Sequence, residues 1–446
     1  MRTFSEIPSD PGLPGLGNLR DIRHAGELHA YLLDLHQRRG DTVRFRLGTQ
    51  EAVSTTSPEA LSRLANSGFD QRPDLMRPFM GWLGDGNIAF KSGKESRRTR
   101  AQLIPLLTGQ ALASVCEEGT RHSDEVLGRV PEGEPFDALG CFHEVTLRTM
   151  GACCFGEDFA QGPGAEIGER FMRVLRENPL DIGSFLPPVW RPSYWRWRGE
   201  VRTLHERVSE LIARRRSVDA RSSGDLLGLL LRERDEEGTP LFSDEEARMA
   251  VLAFYFGGVD ATAAATLWTS MLLAQNPGTQ EEVQKELDRV LGPRAPRADD
   301  LDELPLLSAV VQESLRIFPP NPLNMRRIER PREVDGYEVP EGTVFFVTII
   351  GIHHSPRLWD EPLAFRPARF LGGADKSRHR YAHIPFGVGA KSCIGARFAT
   401  TEVRLLLCRL LQRFTIRASR EVRLETRLRS GVLFPAVEPS LTLKPR

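Results

Sequence analysis

Residues 386–395 read F-G-V-G-A-K-S-C-I-G, with Cys393 at the centre. They lie between an arginine-rich, proline-interrupted segment and an apolar run, 397–414, with the length of a helix. Gly387 and Gly389 let the backbone turn tightly, and Gly395 lets another surface approach closely. A helix starting just after the sulfur offers unpaired N–H groups and the positive end of its dipole, both favouring thiolate over thiol. A lone thiolate on a glycine-rich turn suits an axial metal ligand, tuned by the backbone N–H groups around it. The plainer alternative is a small, buried structural cysteine.

The run resembles the cysteine-ligand loop of the cytochrome P-450 (haem-thiolate) family, F-G-x-G-x-R-x-C-x-G. It matches everywhere except at Lys391, which stands where the family has arginine. The resemblance implies that Cys393 holds the iron of haem b (iron protoporphyrin IX) and promotes O–O cleavage. It also implies that Phe386, Gly387, Gly395 and Lys391 border the cofactor. Lys391 would meet a propionate as a point charge rather than as a fork.

Upstream, Ser243 and Glu246 form a capping box and Asn276-Pro277-Gly278 is a stop signal. The helix between them, about 33 residues, would be about 50 Å long. Its middle, 256–262, reads F-G-G-V-D-A-T. Two glycines inside an apolar helix cost about 1 kcal/mol each relative to alanine. Either a flat ligand or a close-packed neighbouring helix would explain them. The segment resembles the family's oxygen-activation helix, [AG]-G-x-[DE]-T-[TS], at Gly257, Gly258, Asp260 and Thr262. Gly257 and Gly258 would then lie against the haem, and Asp260, with Thr262, would support proton delivery. The departure is Ala261, where the family's threonine should stand. Thr262 is rotated about 100° from it on a helix of 3.6 residues per turn and cannot simply substitute.

Further matches keep the family's order. P-G-L-P-G-L-G-N-L resembles its proline-rich N-terminal hinge, and F-D-Q-R-P, 69–73, its connection to the substrate-facing loop. That loop, 74–85, is apolar and aromatic, which suits a pocket roof or simple packing. The basic helix beginning at 93 presents Ser96 and Arg100 where the family has Trp or His and Arg, so only Arg100 is assigned to a propionate. Residues 185–198, rich in Trp, Pro and Arg, fall at the family's mobile lid, ahead of a helix over 200–216. Amphipathic helices are expected at 280–291 and 304–318. In the second, Glu313 and Arg316 share one face, and the resemblance pairs them with Arg369 in F-R-P-A-R-F. A small β region follows. It includes Arg326, the family's second propionate arginine, with Arg327 a close competitor. His353 reads as a packed, hydrogen-bonded histidine, and His383 as a propionate ligand or a brace for the loop.

Composition bounds the rest. Across 446 residues Lys plus Arg total 60 and Asp plus Glu total 60, which suggests no nucleic-acid or polybasic membrane partner. No uninterrupted apolar run reaches membrane-spanning length, and the N-terminus lacks a signal-type apolar region. The six cysteines include no C-x-x-C pair, so a soluble, cytoplasmic protein with free thiols is expected. The resemblance implies one mainly α domain, 1–446, with a small β region enclosing the haem, acting as a monomer. It would be a monooxygenase inserting one atom of O2 into a small apolar organic substrate of the terpenoid, steroid, fatty acid or polyketide class. Electrons would come from a separate ferredoxin or flavodoxin with an NAD(P)H-dependent reductase. Lys391, Arg397 and Arg404 are candidate docking charges for it. Ala261 leaves open a haem-thiolate isomerase, dehydratase or peroxide-using enzyme.

Overall fold

The helix Asp244–Gln275 runs through the core and organises the fold. Its capping box forms as the sequence requires: Ser243 Oγ accepts the Glu246 N–H at 3.2 Å, and the Glu246 carboxylate accepts the Ser243 N–H at 3.0 Å. Asn276 ends it, and Pro277 opens the next helix, Pro277–Val290. Among the described residues this is the one helix long and apolar enough to cross a membrane, a length that the count of uninterrupted apolar residues did not suggest. In the fold, 61% of its apolar window is buried inside the protein. The computed structural model describes residues 2–65, 76–84, 86–157, 159, 162–177, 190, 192–217, 224–234, 237–373, 377–418 and 424–446. The F-D-Q-R-P connection and parts of the roof loop and lid (74–75, 85, 185–189, 191) lie outside them.

Helices Ala138–Phe155, Pro305–Ile317 and Ala396–Arg413 pack on the central one. Tyr255 donates to the Leu147 carbonyl at 3.2 Å, and Thr269 to Ser314 Oγ at 2.8 Å. Trp268 stacks on Phe318 at 3.8 Å and donates to the Leu433 carbonyl. Each contact satisfies a polar atom that would otherwise be stranded in an apolar core. The largest sheet among the described residues has four strands. Thr42–Leu47 pairs antiparallel with Gln50–Thr55, which runs parallel to Val344–Thr348, and that strand pairs antiparallel with Leu323–Arg327. The chain is therefore mainly α with small sheets, as its sequence suggests.

The lid region differs from expectation. Helix Pro192–Ser217 begins well before residue 200 and takes up Tyr194, Trp195 and Trp197. Trp197 is buried and donates to the Val174 carbonyl at 2.9 Å, while Trp190 and Trp195 are exposed. Aromatic composition alone cannot separate a loop from a helix whose aromatic face packs on a neighbour.

Burial pushes three histidines, His29, His36 and His354, down to about 4, and His353 well below its ordinary range. His36 shows the neutral form: Nδ1 donates to the Gly40 carbonyl at 2.9 Å, so Nε2 accepts from Ser54 at 2.8 Å. Because the folded value lies below the unfolded 6.5, the unfolded chain takes up protons that the fold refuses. Stability should fall as pH drops from about 6.5 toward 4, by about 1.4 kcal/mol per pH unit for each such histidine. Urea unfolding of His36→Gln at about pH 7 and pH 5 checks this. The variant should shed its share of the acid loss, and an unchanged difference between the two pH values would refute the neutral assignment.

Candidate active site

The Cys393 loop is closed by its own backbone. The Cys393 N–H donates to the Phe386 carbonyl at 2.8 Å, and Gly387 to Ile384 at 2.9 Å. Gly387 and Gly389 adopt φ of 75° and 65°, the left-handed region that favours glycine. A Cβ on Gly389 would also lie 3.0 Å from the Ala65 carbonyl. Gly395 behaves differently: its φ is −89°, and a Cβ there would meet only Cys393 Sγ, at 3.9 Å. No atom among the described residues demands glycine at 395, so the freed space lies on the sulfur's side. The Cys393 side chain is accessible although protein wraps most of it, as for a group lining a cleft. That wrapping raises the thiol above its ordinary value. The Gly395 N–H and Arg100 pull it back, a smaller effect than the helix terminus alone led us to expect.

Arg100, on helix Gly93–Leu103, donates to the Ser392 carbonyl at 2.7 Å, next to Cys393. Burial lowers its basicity and the Cys393 charge opposes that; no carboxylate among the described residues pairs with it. One turn earlier on the same face, Ser96 is wholly buried with a hydroxyl that finds no partner among the described residues. The spacing of four residues already placed Ser96 beside Arg100, and sequence reasoning passed it over because it is neither Trp nor His. Arg326 is buried and Arg327 only partly so, because adjacent residues of a strand face opposite ways. Arg326 donates to Asn324 and, at 2.9 Å, to the Met325 carbonyl.

The two central glycines divide the roles that their spacing left open. Gly257 is exposed in the middle of the helix, and a Cβ there would meet no described atom within 4 Å. Gly258 instead packs on Met150, whose Cε would lie 2.5 Å from an added Cβ, so its assignment to the cofactor is corrected to helix packing. Four residues on, Ala261 continues the open face of Gly257, and Thr262 continues the packed face of Gly258. Thr262 is buried, and its Oγ1 has no partner among the described residues. Asp260 approaches His143 Nε2 at 3.1 Å.

Lys391 is also corrected. Its ammonium donates to the carbonyls of Ile88, at 3.2 Å, and Lys91, tying the loop to the turn before Arg100's helix. It is buried, and Arg404 points inward to the Leu301 carbonyl and Ser308, so of the three expected docking charges only Arg397 is exposed. His383 packs in a ring cluster with Phe370 at 4.8 Å and His353 at 5.4 Å, which matches the bracing alternative. His353 accepts the Ile384 N–H at 2.9 Å and donates to the Arg316 carbonyl at 3.1 Å. Behind the loop, Glu313 and Arg316 pair at 2.7 Å with no exposure, and Arg369 reaches Glu313 at 3.2 Å. Trp82 meets Phe256, next to Gly257, edge to face at 5.6 Å, and its carbonyl accepts the His205 Nε2–H at 2.6 Å.

An accessible sulfur, a half-buried guanidinium, an orphaned hydroxyl and an uncrowded helix glycine together fit a planar dianionic iron macrocycle. The comparisons with known proteins agree. A family model described as cytochrome P-450 matches residues 7–443. Cytochrome P-450 4V2 of Rattus norvegicus is 31% identical over 412 residues, covering 85% of this chain and 77% of that one. Steroid 21-hydroxylase of Bos taurus is 31% identical over 415 residues, covering 87% and 82%. Cyclooctat-9-en-7-ol 5-monooxygenase of Streptomyces melanosporofaciens is 28% identical over 386 residues, covering 85% and 83%. The crystal structure of the cytochrome P450DA heme domain superposes with a TM-score of 0.87 over 99% of this chain and 97% of that one; at 23% identity it speaks for the fold alone. The chain belongs to the cytochrome P-450 family. It is a haem b monooxygenase, an oxidoreductase that uses O2 and electrons from a redox partner.

Proposed function

We propose that the protein, as one haem-enclosing domain, inserts one oxygen atom from O2 into a bulky terpenoid or steroid, with electrons from a separate ferredoxin or flavodoxin. The observation that carries the reading is the accessible Cys393 sulfur, held beneath the Gly395 N–H and beside Arg100. Cys393 binds the iron, Arg100 with Ser96 and Arg326 hold the propionates, and Gly257 gives the macrocycle room against the central helix. The bound haem supplies the redox iron at which O2 is activated. Asp260 holds a proton for delivery on that side, since Ala261 has no hydroxyl to pass one. Trp82, Phe256 and Phe171 exclude water above it. The names of the steroid 21-hydroxylase and the cyclooctat-9-en-7-ol 5-monooxygenase favour a terpenoid or steroid over a fatty acid or polyketide. Exposed Arg397 is the remaining docking charge for an acidic partner. Six unpaired cysteines suit a reducing cytoplasm.

Turnover of steroids and terpenoid alcohols with NADPH, ferredoxin and ferredoxin reductase, set against hydrogen peroxide alone, tests the reading. The electron chain should support at least about tenfold more product, about 1.4 kcal/mol in barrier. Turnover driven better by peroxide would favour the peroxide-using alternative that Ala261 leaves open.

A further inference from the structure

A cavity of about 430 Å³ opens between helices Pro305–Ile317 and Ala396–Arg413 and reaches residues 383–387, at the start of the Cys393 loop. No residue of the central helix or of Arg100's helix lines it, so it is separate from the face where substrate meets the haem. Its volume falls within the roughly 300–1,000 Å³ of small-molecule sites. Val311, Leu315, Ile384, Pro385 and Phe386 give it an apolar wall.

Its polar edge comes from the two helices. Arg404 Nη1 donates to the Leu301 carbonyl at 3.0 Å and to Ser308 Oγ at 3.1 Å, and Nε donates to the Thr400 carbonyl at 3.3 Å. Nη2 has no partner among the described residues and is not shielded from water. The carboxylate that Arg404 meets among the described residues is that of Asp302, 3.8 Å from Nη1 and 80% exposed, where solvent screens it. With 17% of its side chain exposed, Arg404 therefore holds a largely desolvated positive charge beside the apolar wall. Thr400 commits its hydroxyl to the Ala396 carbonyl at 2.8 Å. Gln312, one turn after Ser308 on the same helix face, keeps an accessible amide with no partner among the described residues. The N–H groups of Arg404 Nη2 and of the Gln312 amide are the donors left for an anion.

We propose that this cavity binds a small apolar monocarboxylate. Its carboxylate meets Arg404 Nη2 and the Gln312 amide, and its hydrocarbon lies on Val311, Leu315 and Phe386. One side chain of a protein partner would leave much of the volume unfilled, which favours a small molecule as the occupant. The carbonyls of Phe386 and Ile384 accept the Cys393 and Gly387 N–H groups at 2.8 and 2.9 Å, so the occupant rests against the residues whose bonds close the ligand loop. The site does not depend on which compound is oxidised at the haem.

The test titrates octanoate calorimetrically into the haem-loaded enzyme, with clotrimazole saturating the iron to close the substrate side. Octanoate should bind at one site with a Kd of about 1 mM or tighter. Octanol, which lacks the charge, and acetate, which lacks the chain, should each bind at least about tenfold more weakly. Arg404→Gln should weaken octanoate by at least about tenfold. Because Arg404 also ties Leu301 to Ser308, Gln312→Trp is the second variant. It fills the cavity without breaking a bond among the described residues, and should abolish octanoate binding while keeping the thiolate-type spectrum of the reduced, carbon-monoxide-bound protein. No saturable binding, equal affinity for octanol or acetate, or octanoate binding unchanged in either variant overturns the site. A Gln312→Trp enzyme that loses affinity for ferredoxin, beside a wild type that does not bind octanoate, also overturns it and gives the cavity to the redox partner.

Discussion

Cys393→Ala and Cys393→His should lose the thiolate-type absorption of the reduced, carbon-monoxide-bound protein, and turnover should fall at least about a thousandfold, about 4 kcal/mol in barrier. The loop should survive either change, because the bond that closes it runs from the residue 393 N–H to the Phe386 carbonyl and uses no side chain. What is removed is the charge that the Gly395 N–H and Arg100 are placed to hold. Histidine restores a ligand atom but not the negative charge, so its iron would be bound and its activity still lost. A thiolate-type spectrum in either variant would mean that another cysteine holds the iron. The remaining five are buried, and burial raises Cys116, Cys141, Cys153, Cys154 and Cys408 above the ordinary thiol range.

The second large effect lies behind the loop. Glu313→Gln and Arg316→Met should each destabilise the fold by about 3–5 kcal/mol, the cost of leaving one member of a buried pair uncompensated. Arg316 gives Glu313 two bonds, at 2.7 and 2.9 Å, and donates to the carbonyls of His353, at 2.8 Å, and Pro362, at 2.6 Å. Glu313 in turn accepts from the Arg366 N–H at 2.9 Å and from Arg369. The Arg316 carbonyl also takes the His353 Nδ1–H, and His353 Nε2 accepts the Ile384 N–H, two residues before Phe386. Loss of the pair should therefore loosen the ligand loop as well, lowering haem retained per protein after purification. The double variant Glu313→Leu/Arg316→Met should recover only part of the loss, because the carbonyls and Arg369 remain without partners. Urea midpoints unchanged in both single variants would show that the pair is dispensable.

Several features were legible from local spacing. The capping box at Ser243 and Glu246 needs only four residues to specify it, and the left-handed turns at Gly387 and Gly389 need only their own missing side chains. The face shared by Glu313 and Arg316 follows from helical geometry. Arg369 was legible only through resemblance, since nothing local to F-R-P-A-R-F says which carboxylate it will meet. The central glycines were half legible. A helix pattern shows that Gly257 and Gly258 point in different directions, but not which one meets Met150 and which the cleft.

The charges near the sulfur were misread for a related reason. Lys391, Arg397 and Arg404 are equally basic as letters, and one is exposed while two are drawn inward to carbonyls supplied by distant segments. Thr262 follows Gly258 on the packed face of the helix, a placement its letter alone does not show. By itself, then, the sequence determined the candidate ligand Cys393, its glycine turns, the helices and the family, since these depend on short spacings and intrinsic backbone preferences. Only the tertiary structure decided which glycine faces open space, that the Ser96 hydroxyl is buried, and that Asp260 meets His143. Those depend on how helices distant in sequence pack, where burial and partner geometry set what each side chain can do.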